Sequence, residues 1–304
     1  MRIMLQFPEG LKTQALAEAA KLEKQGHEVF VAAAPCYGAC DICLDEARNV
    51  GAEKIVHFGH AEFMKVKSGI PIEYMPYFLE VDWKAATKVI EKGAKLLHKD
   101  NVKTLALTFP VQHLQNSKKV KELLESAGFI VKLGMGGAHV RHPGQVLGCD
   151  TDSVKNVGDA DAVVYFGGGK FHPTGLPSGK PVLCIDPHLG DSYWITEEIR
   201  KVERKRKGSI LAASKAKCFG ILISTKCGQI NMTGAKIAKR MLEKKGKRAV
   251  LLVANELNPV SLANFMSFDA YINTACPRIN DDTDAYGKPI VNVADLKRLL
   301  ELMV

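Results

Sequence analysis

The sequence predicts an α/β protein of three similar small parallel-sheet domains arranged with pseudo-threefold symmetry around a central site. Three observations carry this expectation. First, three apolar openers, Arg2-Ile-Met-Leu-Gln-Phe-Pro8, Lys103-Thr-Leu-Ala-Leu-Thr-Phe-Pro110 and Cys218-Phe-Gly-Ile-Leu-Ile-Ser224, begin segments of about 100 residues. Second, strands alternate with helical stretches, which implies parallel sheets with right-handed crossovers. Third, Cys40, Cys149 and Cys276 each fall where a strand or its following loop reaches the carboxyl-end face, the place where sites in such sheets lie. Three thiolates from three domains can close on one metal cluster and leave a position open for chemistry.

Each opener reads as a buried strand. A stretch with helical period follows it: Leu16, Ala19, Ala20 and Leu22, then Val120, Leu123 and Leu124, then Ile237, Ala238, Met241 and Leu242. Gly26, Gly128 and Gly246 end these helices as C-terminal caps. Second strands are expected over His27 to Ala33, Phe129 to Leu133 and Arg248 to Val253. A loop and a short helix lead to a third strand that begins with an acidic residue: Glu53-Lys-Ile-Val56, Asp161-Ala-Val-Val164 and Asp269-Ala-Tyr-Ile272. A proline (Pro71, Pro181, Pro289) introduces each fourth strand. The expected domains are residues 1–98, 99–214 and 215–304. In the first two, Gly38-Ala-Cys40-Asp41 and Leu147-Gly-Cys149-Asp150 precede the third strand at matching distance, whereas Cys276 stands where the third strand of the last segment ends.

A chain of 304 residues with 46% hydrophobic residues is ample for three compact units sharing interfaces. No run of about 20 apolar residues is present to span a bilayer, and the charged, proline-interrupted start is no secretory signal, so the expected location is the cytoplasm. In a reducing compartment the eight cysteines stay as thiols, used for metal binding, catalysis or burial. Cys184 and Cys218 lie in apolar strands and read as buried small hydrophobes, while Cys227 stays open. The net charge of +9 permits an acidic or nucleic-acid-associated partner, with basic runs at Arg204-Lys-Arg-Lys207 and Lys244-Lys-Gly-Lys-Arg248. Those runs read equally as solvated helix faces. No nucleic-acid module interrupts the units, so direct reading of DNA or RNA is not expected.

The loop Cys36-Tyr-Gly-Ala-Cys40-Asp-Ile-Cys43 has the three-then-two spacing by which common radical S-adenosylmethionine enzymes hold a [4Fe-4S] cluster. Its placement argues against that role, because it follows the second strand of a small repeated unit, and it leaves Cys149 and Cys276 unexplained. Four stretches, Leu5-Gln-Phe-Pro-Glu-Gly-Leu11, Tyr37-Gly-Ala-Cys40-Asp41, Gly144-Gln-Val-Leu-Gly-Cys149 and Cys276-Pro-Arg278, resemble the archaeal 2-(3-amino-3-carboxypropyl)histidine synthases of diphthamide biosynthesis. So do Phe171-His172 after Gly167-Gly-Gly-Lys170, and Ile223-Ser-Thr-Lys-Cys-Gly-Gln229. The resemblance runs end to end.

This resemblance implies that Cys40, Cys149 and Cys276 hold a central [4Fe-4S] cluster with one iron free of protein ligands, Cys36 and Cys43 being bystanders that are able to substitute if Cys40 is lost. It implies S-adenosylmethionine as cosubstrate, cleaved on its methionine side. The 3-amino-3-carboxypropyl group then passes to an imidazole carbon of a histidine in translation elongation factor 2, and methylthioadenosine is released. That ring carbon is a poor nucleophile, so radical addition suits it better than alkylation. The family further implies a homodimer, and the chemistry requires an electron donor that the residues do not identify. Ser224, Thr225, Gly228 and Gln229 offer donors for the cosubstrate's carboxylate. Gln6 and Glu9 face the same crevice, or simply form a proline-bent turn that caps a helix. His172 is a candidate catalytic residue or a structural one. Gly167-Gly-Gly169 lacks the pattern of a phosphate-binding loop. Alternatives are a quinolinate-synthase-like [4Fe-4S] dehydratase, a radical enzyme built on Cys36, Cys40 and Cys43, or a non-catalytic zinc-binding module on the translation machinery.

Overall fold

The computed structural model describes residues 1–177 and 179–303, so Val304, the end of the third expected segment, lies outside it. Each opener forms an inner strand of its own sheet. The first sheet comprises β1 (Arg2–Gln6), β2 (Glu28–Val31), β3 (Lys54–Phe58) and β4 (Ile72–Met75), in the spatial order β2-β1-β3-β4. The second comprises β5 (Thr104–Thr108), β6 (Ile130–Lys132), β7 (Ala162–Phe166), β8 (Val182–Asp186) and β9 (Asp191–Trp194), ordered β6-β5-β7-β8-β9. The third repeats the first arrangement with β10 (Cys218–Ser224), β11 (Arg248–Ala254), β12 (Ala270–Asn273) and β13 (Ile290–Asn292), ordered β11-β10-β12-β13. All pairings are parallel except β8 with β9.

The α/β class and the threefold repeat of the sheet are thus present, with one addition. Asp186 accepts hydrogen bonds from the His188 and Leu189 backbone N–H groups at 3.0 and 2.9 Å, turning the chain back so that β9 covers the outer edge of β8. By contacts between Cα atoms the chain divides into two compact units, Met1–Glu197 and Glu198–Val304, the first containing two sheets and the second one.

Helix placement follows burial rather than the expected segment ends. Asp82 caps the helix Trp83–Lys99, accepting from Lys84 N–H at 2.9 Å. This helix buries Val89, Ile90, Ala94 and Leu97 with Leu105, Leu107 and Val164, so it belongs to the core of the second sheet. Likewise Ile210 and Ala213, from the helix Thr196–Ala213, pack with Phe219, Ile221 and Ile223 of β10. Each linking helix thereby covers the sheet that follows it. In the first segment a 3-10 turn, Glu9–Gln14, precedes the helix Ala15–Glu23, of which Ala15 and Ala19 face the sheet while Leu16 is 79% exposed. No helix of the described residues is long and apolar enough to cross a membrane.

The repeated acidic residue and the repeated proline have structural reasons. Asp161 Oδ2 accepts from the Lys103 and Thr104 N–H groups at 2.9 and 2.8 Å, and Asp269 Oδ2 accepts from Lys217 and Cys218 at 2.8 and 2.9 Å. Glu53 does the same for Arg2 N–H at 2.7 Å. Each carboxylate thus clamps the start of the inner strand to the start of its neighbour. Pro71, Pro181 and Pro289 stand at strand starts, where no N–H is needed, and their carbonyls accept from Ile55, Val163 and Tyr271, each at 2.9 Å.

The backbone donors hold the Asp161 and Asp269 carboxyls below the usual carboxylate range. A depressed carboxyl stabilises the fold above its unfolded-state pKa and loses that effect as pH falls. Asp161→Ala and Asp269→Ala are therefore expected to lower the melting temperature at pH 7, with the gap from wild type closing below about pH 4. Scanning calorimetry at both pH values checks this, and a gap that persists in acid counts against the clamp.

Candidate functional site

The cysteine-bearing loop after β2 is held from beneath by the last residue of β1. Gln6 is only 3% exposed, and both ends of its amide are used. Its Nε2 donates to Asp41 O at 2.7 Å, while its Oε1 accepts from Cys43 N–H at 3.2 Å and meets His57 Nδ1 at 2.9 Å. Since Oε1 is an acceptor, His57 Nδ1 carries the proton. Burial pushes His57 down to about 3, aided by His60, so its ring is neutral and Nε2 bears a lone pair. That lone pair receives His60 Nδ1–H across 3.0 Å. Burial also pushes His60 down to about 4, which leaves His60 Nε2 as the outward acceptor. A side chain at Gly38 would sit 3.8 Å from Cys40 Sγ and 3.9 Å from His60 Nε2, so the glycine keeps that side of Cys40 open.

A second loop in the same unit carries Cys149. The buried Asp150 accepts from His139 N–H at 3.0 Å and from Asp152 N–H at 3.2 Å, closing the turn around the cysteine. His139 in turn stacks on Phe63 with ring centroids 3.9 Å apart and planes 5° from parallel, and Arg141 pairs with Glu62 at 3.2 Å. The stretch after β3 that contains His60 therefore packs against the stretch that shapes the Cys149 loop. In the same unit His113, from the 3-10 turn Val111–Asn116 after β5, meets His188, from the turn between β8 and β9, at 3.3 Å, and burial pushes His113 down to about 4.

In the unit Glu198–Val304, Cys276 follows β12. Asn273 Nδ2 donates to Cys276 O and to Asn292 Oδ1, both at 2.8 Å, and Asn292 Nδ2 donates to Pro277 O at 3.0 Å. Burial raises the Cys276 thiol above its ordinary value, with Asp281 adding to the rise, and the Arg278 and Ile279 N–H groups and the Arg278 guanidinium offset this only in part. Arg278 is itself held by Asp281. The loop after β10 buries Lys226, whose Nζ lies 3.3 Å from Glu256 and 3.4 Å from Asn255 Oδ1.

Among the residues expected from sequence, Cys40 and Cys276 are half-buried and Cys149 is exposed, whereas Cys36, Cys43 and Cys184 are buried. Burial and the neighbouring Glu46 push the Cys43 thiol up to about 12. Gln6 is engaged with the loop rather than turned outward. Glu9 is exposed and paired with Lys12 at 2.6 Å. Ser224 is buried, its hydroxyl donating to Asn255 O at 3.2 Å and accepting from Lys226 N–H, while Thr225 is exposed and Gly228 and Gln229 are half-buried. His172 stands at the head of the turn Pro173–Gly175 with its ring edge-on to Phe171. Sequence reasoning missed His57 and His60. Their signal was two histidines three apart at the carboxyl end of a strand.

The family model described as "Putative diphthamide synthesis protein" matches residues 7–303. The 2-(3-amino-3-carboxypropyl)histidine synthase of Pyrococcus horikoshii is 39% identical over 305 residues, which cover 99% of this chain and 86% of that one. Subunit 1 of the synthase of Caenorhabditis elegans is 27% identical, covering 98% of this chain and 76% of its own. The crystal structure of Dph2 from Pyrococcus horikoshii with a 4Fe-4S cluster superposes with a TM-score of 0.89 at 35% identity, covering 99% of this chain and 86% of that one.

Gln6→Leu removes both ends of the amide bridge and strands the buried Cys43 N–H and His57 Nδ1–H. The expected cost is about 2–6 kcal/mol in urea denaturation, since each of the two buried groups left without a partner costs about 1–3 kcal/mol. An unchanged midpoint counts against the loop's dependence on Gln6.

Proposed function

The chain belongs to the diphthamide synthesis protein family, and on that premise we propose that it transfers the 3-amino-3-carboxypropyl group of S-adenosylmethionine to a histidine of translation elongation factor 2, releasing methylthioadenosine. One observation carries this reading: the match to the Pyrococcus synthase is nearly end to end, at 39% identity over 99% of this chain. The likeness to a relative solved with a 4Fe-4S cluster supports the same cofactor here.

The residues present suit such a cluster. Cys40, Cys149 and Cys276 are the proposed ligands: sulfur donors that are half-buried or exposed, each in a loop beyond a strand's carboxyl end. Room beside Cys40 Sγ depends on the missing side chain at Gly38. Bound by three thiolates, a [4Fe-4S] cluster keeps one iron without a protein ligand and supplies the electron that breaks the methionine-side carbon–sulfur bond of S-adenosylmethionine.

The remaining work falls to the chain. The loop after β10 offers the Thr225 hydroxyl, the Gly228 backbone and the Gln229 amide to the cosubstrate's carboxylate, while Ser224, bonded to Asn255, holds the loop's shape. Lys226 adds a buried positive charge to that loop, with Glu256 beside it. Gln6 acts from below by fixing the Cys40 loop, and Glu9 contributes to the outer rim. His172 is the proposed acceptor of the proton that leaves the imidazole carbon when the substituted ring regains aromaticity. The protein is proposed to act in the cytoplasm as a homodimer, with its electrons coming from a separate donor protein.

The test uses reduced, anaerobic protein with S-adenosylmethionine and elongation factor 2. Methylthioadenosine and a histidine heavier by the 3-amino-3-carboxypropyl group are the expected products, and 5′-deoxyadenosine as the only cleavage product overturns the reading. Cys149→Ala and Cys276→Ala are each expected to lose most of the iron and acid-labile sulfide along with activity, Cys40→Ala to lose less of them because Cys36 and Cys43 stand near enough to substitute, and Cys43→Ala to retain them. Colourless wild-type protein containing zinc and no sulfide leads instead to a non-catalytic zinc module.

A further inference from the structure

Three side chains of the first unit are left over from the chemistry above: the Cys36 thiol and the His57 and His60 imidazoles. One donor atom from each lies within 4.8 Å of the other two. We infer that Cys36, His57 and His60 form a second metal site, distinct from the three-cysteine set, that takes a single zinc-like divalent cation.

The donor set is the first argument. One thiolate and two imidazoles suit a borderline ion of the zinc class, with one position left for water. Ligands at about 2.0–2.3 Å around a tetrahedral ion lie roughly 3.3–3.7 Å from one another, so the observed grouping requires only a small movement. His57 and His60 already face each other with ring nitrogens 3.0 Å apart and a proton between them.

The surroundings are the second argument. A histidine ligand usually donates its other ring N–H to a fixed acceptor, which sets the tautomer and the ring plane. His57 does this: Nδ1–H goes to Gln6 Oε1 at 2.9 Å, an oxygen identified as acceptor because Cys43 N–H also binds it. The Tyr74 ring packs edge-on at 5.6 Å and fixes the ring plane further.

The exchange balances simply. Cys36 gives up its thiol proton to solvent, and His60 moves its proton from Nδ1 to Nε2. His57 keeps its tautomer, and the ion gains one sulfur and two nitrogen bonds. As a result His60 Nε2 changes from acceptor to donor on the side that faces the open space beside Cys40 Sγ. The ion also ties the loop at Cys36, four positions before Cys40, while Gln6 holds it at Asp41 and Cys43 on the other side.

The test reads metal content and is independent of transferase activity. The full chain, purified without oxygen and carrying its iron, is titrated with zinc(II) against a chromophoric chelator and then studied by X-ray absorption at the zinc edge. One zinc per chain beyond the iron is expected, in a shell of one sulfur and two or three nitrogen or oxygen atoms. Cys36→Ser and His60→Gln are expected to weaken zinc binding by more than about 100-fold and Gln6→Leu by about 10–100-fold, the range for outer-shell partners. Substoichiometric zinc in the wild-type protein overturns the inference. So does a shell of three or more sulfurs, which assigns the ion to the other cysteines, or a shell with none. The wild-type spectrum decides the matter even where a variant fails to fold.

Discussion

A parallel strand pair cannot be closed by a tight turn, so the chain must cross over the sheet before it can run again in the same direction. In this protein that constraint operates three times with the same outcome: the first strand of each sheet lies between the second and the third. One crossover goes to one side and the next to the other, so the carboxyl end of the inner strand is where the loops part. The residues at that position are Gln6, Thr108 and Ser224, all polar and all buried. Each is spent on the adjoining chain: Gln6 on the Cys40 loop, Thr108 on Val164 O at 3.2 Å, and Ser224 on Asn255 O at 3.2 Å. The chemistry of the site rests on this opening in the sheet and on the polar residue beneath it.

The two edges of each sheet are secured by different physics. At the amino edge, exposed carboxylates of Glu53, Asp161 and Asp269 accept backbone N–H groups from the inner strand, a charge-assisted bond made in contact with water. At the carboxyl edge of the first sheet the bonds are buried and neutral, running from Cys43 and Asp41 through Gln6 to His57 and His60. A buried polar network rigidifies its surroundings only when every member is satisfied, and losing one member strands the others. The exposed clamp sets where the strand begins, and the buried network sets the shape of the loop that carries Cys40.

Much of this was legible along the chain because it is local. Strand starts are marked by acid or proline, helix ends by glycine, and Cys40 and Cys149 are each followed by an aspartate that bonds within its loop. What misled was likewise local evidence applied too far. Leu16 has helical spacing, yet the inward positions of its helix go to Ala15 and Ala19. The helices Trp83–Lys99 and Thr196–Ala213 are not singled out along the chain, and their apolar faces cover the sheet that follows each of them. The strand β9 is four residues long after a turn set by Asp186, too short to show a period.

By itself the sequence determined the α/β class and the threefold repeat of the strand pattern, since these follow from residue type and spacing along the chain, and it marked the cysteines as candidates. Only the tertiary structure decided what surrounds those cysteines. Gln6 and His57 are 51 positions apart and meet because the parallel ladder of β1 and β3 pairs them in register. His139 comes to Phe63 through the packing of two sheets' loops within one unit. A register and a packing contact are properties of two segments jointly, and neither leaves a mark in the spacing of either one.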